Sequence, residues 1–259
     1  MAHRALVTLS MKGGVGKTTT AIGLTRALMR RGLKTGLLDV DIHGSAVPQA
    51  LHMERAPGYT AIAGAKLSPA TYDGFQLFSI GLTAPPDTAN MWKGKMEAQA
   101  VEQVVTFAID WDKDMEWLVV DTPPTSGDEV QSLLEHMEGI YGCVIVTQPN
   151  DLSLLGITKT LNMLRDKGTP VCGLLTNMAG YRCPHCGDVS NPFDREPVDT
   201  EKVAEAFEVP CLGQIPFAGD EERAPVMDQV IEKILSTRPR KLRKERTDLS
   251  RRVLGLILK

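Results

Sequence analysis

Two patterns of apolar and polar positions alternate along the chain. Strand-like, mostly apolar runs occupy residues 4–10, 35–39, 75–80, 117–121, 141–147 and 171–176. Between them, stretches with a helical period predict helices near residues 17–31, 97–109, 127–137, 152–167, 200–207 and 224–235, with a short edge strand at 211–214. Strands that are apolar on both faces belong in a parallel sheet covered on both sides. The expected fold class is therefore α/β, a doubly wound, mostly parallel sheet with helices on both faces. Residues 45–74 carry Pro48, Pro57, Gly58, Gly64 and Pro69 and are expected to be irregular, as is the segment 177–197. The pattern gives one domain over residues 1–236 and a tail of different character over 237–259, with no internal repeat.

The 259 residues are 42% hydrophobic and 24% charged, which excludes disordered and membrane-embedded classes. With 29 Lys+Arg against 32 Asp+Glu the net charge is -3, so no global basic field calls for nucleic acid, and no nucleic-acid partner is expected. No apolar run approaches the ~18 residues of a membrane span, and residues 1–6 lack an apolar signal segment, so a cytoplasmic protein is expected. Five cysteines is an odd number for a disulfide framework and fits reduced thiols. Cys143, Cys172 and Cys211 lie in or beside apolar strands and read as small core residues.

Candidate chemistry begins at Ser10-Met11-Lys12-Gly13-Gly14-Val15-Gly16-Lys17-Thr18-Thr19, between a predicted strand and a predicted helix. Gly13, Gly14 and Gly16 let the backbone curl until successive N–H groups converge on a phosphate, and the helix start adds its positive end. Lys17 can neutralise the outer phosphates of ATP, and the Thr18 hydroxyl is placed for Mg²⁺, with Val15 and Thr19 completing the loop. Met11 stands where the usual pattern has its first glycine, and Lys12 follows it. This Lys-Gly-Gly-x-Gly-Lys-Thr variant resembles the MinD/ParA group of P-loop ATPases. Two acidic motifs end later strands, Leu37-Leu38-Asp39-Val40-Asp41 and Leu118-Val119-Val120-Asp121-Thr122-Pro123-Pro124. Ligands of open parallel sheets bind beyond the carboxyl ends of the strands, so these acids are expected at the phosphate crevice. The resemblance implies that Asp121 holds Mg²⁺ through water with Asp39 assisting, and that Asp41 orients the attacking water. It also implies that Asn177 meets the adenine edge and that Lys12 reaches a partner's nucleotide in a closed dimer.

Cys183-Pro184-His185-Cys186-Gly187 is a second constellation. A C-x-x-C loop places two thiolates on one side of a tight turn. A redox pair would want a helix after the first cysteine, and Gly187, Asp188, Asn191 and Pro192 argue against one. A complete zinc knuckle would want a second C-x-x-C, which the chain lacks. The pair reads as a half-site, two of which on a two-fold axis would suit a [4Fe–4S] cluster, or zinc in its place.

With these motifs in this order, the sequence resembles the Mrp/ApbC-type iron–sulfur cluster carriers over roughly residues 3 to 235. Met91-Trp92-Lys93-Gly94-Lys95-Met96, residues 121–129, Thr147-Gln148-Pro149-Asn150-Asp151 and Gly213-Gln214-Ile215-Pro216-Phe217 follow that family's pattern, though Thr125-Ser126 replaces its Gly-Thr. The resemblance implies a slow ATPase, a homodimer holding a labile [4Fe–4S] cluster between subunits and passing it to apoproteins. A MinD/ParA-like positioning ATPase at membrane or DNA is the alternative, and it would leave the cysteine pair without a role. A kinase or synthetase using the same loop fits poorly with Lys12. The tail carries Arg238, Arg240, Lys241, Arg243, Lys244, Arg246, Arg251 and Arg252 beside Leu249, Val253, Leu254, Leu256, Ile257 and Leu258. It is expected to dock on its own dimer or a client, with a lipid surface as the lesser reading.

Overall fold

A computed structural model describes residues 3–42, 44–53, 60–62, 66–80, 94–124, 127–149, 151–190, 200–217 and 219–243. The chain divides into two compact units, one of Met1–Thr8 and Lys17–Tyr141, the other of Leu9–Gly16 and Gly142–Lys259.

In the first unit the sheet is built on strands with no exposed apolar position. β1 (Arg4–Leu9), β2 (Thr35–Asp39) and, later in the chain, β6 (Phe75–Ser79) and β7 (Trp117–Asp121) line up in the order β1-β7-β2-β6, each pair parallel. Helix α1 (Lys17–Arg30) buries Ile22, Leu24 and Leu28, and Gly32, at a φ of 77°, closes it by donating its N–H to the Met29 carbonyl. Phe75, Phe78 and Trp117 are among the largest fully buried side chains. Helices α3 (Gly94–Gln103) and α4 (Asp128–His136) complete this unit.

The described residues of the segment 45–74, expected to be irregular, carry regular structure. It holds a helical turn, α2 (Val47–Ala50), a small antiparallel pair of β3 (Thr60–Ile62) and β4 (Lys66–Ser68), and β5 (Ala70–Tyr72), which returns antiparallel on β6. Asp73 and Gly74, at φ of 48° and 84°, form the two-residue turn between Tyr72 and Phe75, the geometry that Asp-Gly favours in hairpins. The helix expected to run to Ile109 loosens into a π turn at Val104–Ala108. Thr106 there donates its hydroxyl to the Glu102 carbonyl at 2.6 Å, competing with the helical ladder.

The second unit has β8 (Ile140–Thr147) parallel to β9 (Val171–Arg182), with α5 (Asp151–Lys167) between them in sequence. After α6 (Thr200–Ala206), strand β11 (Cys211–Phe217) adds parallel to β9, and α7 (Asp220–Ser236) follows. β9 runs six residues past the expected end at Thr176, because β11 pairs with it as far as Tyr181 and β10 (Val189–Ser190) folds back on it. Residues 177–190 are thus a strand and hairpin, a correction to that part of the expected irregular segment, whose remainder, 191–197, lies outside the described residues. α7 starts before the expected Ala224, since Asp220, Glu221 and Glu222 suit a helix N-terminus and Pro225 is accommodated near it. Beyond α7, Arg240 pairs with Val171 through both backbone groups, so the start of the tail is attached to β9 rather than lying apart. The rest of the basic and apolar tail, from residue 244, lies outside the described residues. Among the described residues no helix is long and apolar enough to cross a membrane.

Candidate nucleotide and metal site

The first unit gathers the acidic half of the predicted site. Asp39 and Asp121 end adjacent parallel strands and face each other in register. Both are fully buried. Lys17, first residue of α1 and itself 6% exposed, places Nζ 3.2 Å from Asp121 Oδ1, and the Thr18 hydroxyl donates to Asp121 Oδ2 at 2.6 Å. Thr8 and Thr122 brace the strand ends, donating to the Val120 and Thr8 carbonyls at 2.9 and 2.8 Å. Asp39 Oδ2 accepts hydrogen bonds from Ser45 at 2.5 Å and Ser79 at 2.6 Å, and Oδ1 accepts the Asp41 N–H at 2.9 Å. Asp41 in turn accepts the Gly44 N–H at 2.9 Å, which fixes the turn after β2.

Burial, and next the negative charge of Asp121, push the Asp39 carboxyl up to about 7. Burial also raises Asp121, against the opposing pull of the Lys17 ammonium. Two carboxylates side by side out of water need a cation, and among the described residues Lys17 is the cation paired with Asp121. The donor set of a hydroxyl and carboxylate oxygens suits Mg²⁺, a hard ion bound by oxygen.

A pH test follows from Asp39. Its folded value near 7 lies above the unfolded value of ~3.9, so the native state holds a proton that the unfolded chain has lost. Stability without nucleotide therefore declines as pH rises from about 4 to about 7 and levels off above that. Asp39→Asn keeps the hydrogen-bonding shape without the charge. It is expected to exceed wild type by on the order of 2–4 kcal/mol at pH 8 and to match it near pH 4. Urea unfolding at the two pH values checks this, and an equal difference at both would show that Asp39 carries no buried-charge penalty.

The second unit holds the glycine loop. Gly14 and Gly16 adopt φ of 77° and 80°, the left-handed region that a Cβ disfavours. A Cβ on Gly16 would also fall 2.1 Å from Asn177 Nδ2. Asn177 is 4% exposed and donates Nδ2 to the Val15 carbonyl at 2.8 Å, so in this structure its amide braces the loop. Gln148 Nε2 reaches the Gly14 carbonyl at 3.2 Å and Met178 Sδ at 2.9 Å. Lys12 is exposed, and with Met11, Val15, Thr147, Lys159 and Thr160 it lines a cavity of about 230 Å³. Gly13 is exposed and Thr19 half-buried.

Cys183 and Cys186 sit at the tip of the β9–β10 hairpin. The Cys183 N–H donates to the Asp188 carbonyl at 2.8 Å and the Gly187 N–H to the Cys183 carbonyl at 2.9 Å, which closes the turn. Gly187 takes a φ of 78° there. The N–H groups of Cys186 and His185 point at the Cys183 sulfur and hold its thiol below its ordinary value, favouring the thiolate that ligates metals. Cys186 is exposed. Among the described residues no group of three or more His, Cys, Asp or Glu side chains is placed to hold a metal ion. Cys143 and Cys172 are buried, and burial pushes the Cys172 thiol up to about 12 and the Cys143 thiol up as well. Cys211 is only half-buried, which corrects its reading as a core residue: it starts β11 at the sheet's margin.

Residues 2–254 match the ParA family model of NUBPL iron-transfer P-loop NTPases. The chain belongs to that family. It is 37% identical over 214 residues to an iron-sulfur cluster carrier protein of Methanocaldococcus jannaschii, covering 82% of this chain and 72% of the relative. It is 36% identical over 208 residues to the iron-sulfur cluster carrier protein of Escherichia coli (strain K12), covering 80% of this chain. There the chain spans about half the length of its relative, 55%. A nucleotide-binding protein of Archaeoglobus fulgidus, solved in complex with ADP, superposes with a TM-score of 0.71 over 92% of this chain and 93% of that one. At 23% identity this likeness concerns the fold. The family and the P-loop NTPase fold agree with the resemblance read from the motifs.

The structure gives roles to residues to which the motifs assigned none. Ser45 and Ser79 hold Asp39, and Gln148 and Met178 support the loop. Ser79 had a local signal, since it closes an apolar strand one position before Ile80 and beside β2. Gln148, directly after β8, occupies the same kind of strand end. Of the segments that resembled the carriers, residues 91–93 and 125–126 and Asn150 lie outside the described residues.

Proposed function

We propose that this protein is an ATP-binding and ATP-hydrolysing carrier of iron–sulfur clusters, which holds a [4Fe–4S] cluster across a homodimer and delivers it to apoproteins. The observation that carries this reading is the cysteine turn. Its two thiols stand at an exposed hairpin tip, one of them already favoured as thiolate by backbone N–H groups, in a chain whose other conspicuous feature is a nucleotide loop. A positioning ATPase has no use for such a turn. The names of the relatives support the same cargo.

On the nucleotide side, the loop amides of residues 13–16 and Lys17 take the phosphates, with Thr19 at the start of α1. Thr18 and Asp121 would hold Mg²⁺, with Asp39 beside them, and the bound ion would supply positive charge to the phosphate oxygens. Asp41 orients water, Lys12 faces the nucleotide of the second subunit, and Asn177 borders the base while bracing Val15. Hydrolysis is slow because its role is to time cluster binding and release. On the cargo side, Cys183 and Cys186 of two subunits supply four thiolates to the cluster, which is the substrate carried. The body of residues 1–236 does this work, and the tail from 237 contacts the dimer or a client.

Anaerobic reconstitution with iron and sulfide tests the proposal. Visible absorption and native mass are expected to show one four-iron cluster for every two chains. A cluster bound by a single chain, or no uptake, would refute the bridging carrier.

A further inference from the structure

A peptide unit is planar, so a carbonyl and the N–H of the next residue turn together. The Gly14 carbonyl is held by Gln148 Nε2 and the Val15 carbonyl by Asn177 Nδ2. These side chains therefore hold, from behind, the planes whose opposite edges are the N–H groups of Val15 and Gly16. A phosphate drawn onto those N–H groups turns the planes and alters both bonds.

Both holds lead to one strand. Asn177 lies in β9, and Gln148 also donates to Met178 Sδ at 2.9 Å. Met178 sits at a φ of 57°, a left-handed conformation that a side chain with a Cβ keeps only when its surroundings impose it. Gly180 follows at a φ of 94°, and Cys183 stands five residues beyond Met178, roughly 17 Å of extended chain. A strained residue with a discrete relaxed alternative is the kind of two-state element through which distant sites influence one another.

We propose that Gln148 and Met178 are positioning residues that couple phosphate binding in the glycine loop to the setting of Cys183 and Cys186. The inference rests on the carrier reading for its biological sense, though not for its geometry. While Gln148 bridges Gly14 and Met178, Met178 is kept left-handed and β9 runs to the cysteine turn as described. When a bound phosphate turns the Gly14 plane, Gln148 lets go, Met178 relaxes to negative φ, and residues 179–183 rotate and carry Cys183 with them. Nucleotide occupancy thereby changes how the two thiols present themselves to a cluster.

Thiol alkylation on the full, reduced chain reads this directly. Iodoacetamide labelling of each cysteine is followed by mass, with and without saturating Mg-ADP, and buried Cys143 and Cys172 serve as internal controls. In wild type, nucleotide is expected to change the rates at Cys183 and Cys186 by about 5–100-fold. In Met178→Leu, which keeps size but loses the sulfur acceptor, and in Gln148→Ala, the change is expected to fall below about twofold at nucleotide saturation. Zn²⁺ titration gives the reciprocal check, because the factor by which nucleotide alters metal affinity must equal the factor by which metal alters nucleotide affinity. Wild-type rates indifferent to nucleotide, or a response that survives both substitutions, would overturn the coupling. So would complete loss of Mg-ADP binding in both variants, which would make the two side chains mere supports of the loop. A nucleotide response in a protein that takes up neither zinc nor cluster would uphold the coupling and remove the carrier reading.

Discussion

Replacing Lys17 by alanine is expected to abolish tight Mg-ATP binding, with a loss of affinity on the order of 100-fold or more. The reason lies in what Lys17 does before any nucleotide arrives. Its ammonium sits 3.2 Å from a buried Asp121 oxygen. Removing it deletes the charge proposed to meet the outer phosphates and takes from Asp121, beside Asp39, its ammonium partner. The site then repels an anionic ligand more strongly, and the free protein is destabilised, by about 3 kcal/mol at pH 8. Part of that loss is recovered at lower pH, where Asp121 takes up a proton. Lys12→Ala is expected to behave differently. Lys12 is exposed, and its backbone carbonyl accepts the Ser10 hydroxyl at 3.1 Å. That variant should bind nucleotide within about fivefold of wild type and lose hydrolysis, since in the proposed dimer its charge acts on the transition state at the partner's nucleotide. Calorimetric titration and a phosphate-release assay separate the two, and equal loss of binding in both variants would refute this division of roles.

The parts of the fold legible in the sequence are those where one local signal is sufficient. β2 and β7 have the bounds expected from their apolar runs, because a strand buried on both faces has no polar position at which to misplace its end. Asp39 and Asp121 were legible for the same reason: a carboxylate that breaks such a run must lie at its exit. Elements that depend on a partner were not legible. β9 continues through Asn177, Gly180 and Tyr181 only because β11 and β10 supply its hydrogen bonds, and nothing in those residue types announces a strand. The β5–β6 hairpin had a usable signal in Asp73-Gly74, which the prolines around it outweighed. In the site, the supporting contacts of Ser45, Ser79, Gln148 and Met178 join residues from 6 to 134 positions apart, and no short motif encodes such distances.

The second large effect concerns the cysteine turn. Cys183→Ala and Cys186→Ala are each expected to eliminate stable cluster binding while the chain stays folded and binds Mg-ATP. Folding should be spared because the thiols support no core. Cys186 is exposed, and the turn is held by backbone bonds, Cys183 N–H to Asp188 and Gly187 N–H to the Cys183 carbonyl, that alanine retains. Unfolding free energy should therefore move by less than about 0.5 kcal/mol, as for a surface substitution. Cluster binding has no such reserve. In the proposed bridged site, with two ligands from each chain, each substitution removes two of the four thiolates, so the remaining pair cannot complete the coordination. The two positions should nevertheless differ in kind when zinc replaces the cluster. The Cys183 sulfur receives the N–H groups of His185 and Cys186, so its loss removes the thiol already poised as thiolate, whereas loss of Cys186 leaves that one in place. Residual zinc affinity should be greater in Cys186→Ala, and should depend less steeply on pH there. Retention of a four-iron cluster by either variant, measured by iron content after anaerobic gel filtration, would show that the ligands lie elsewhere in the chain.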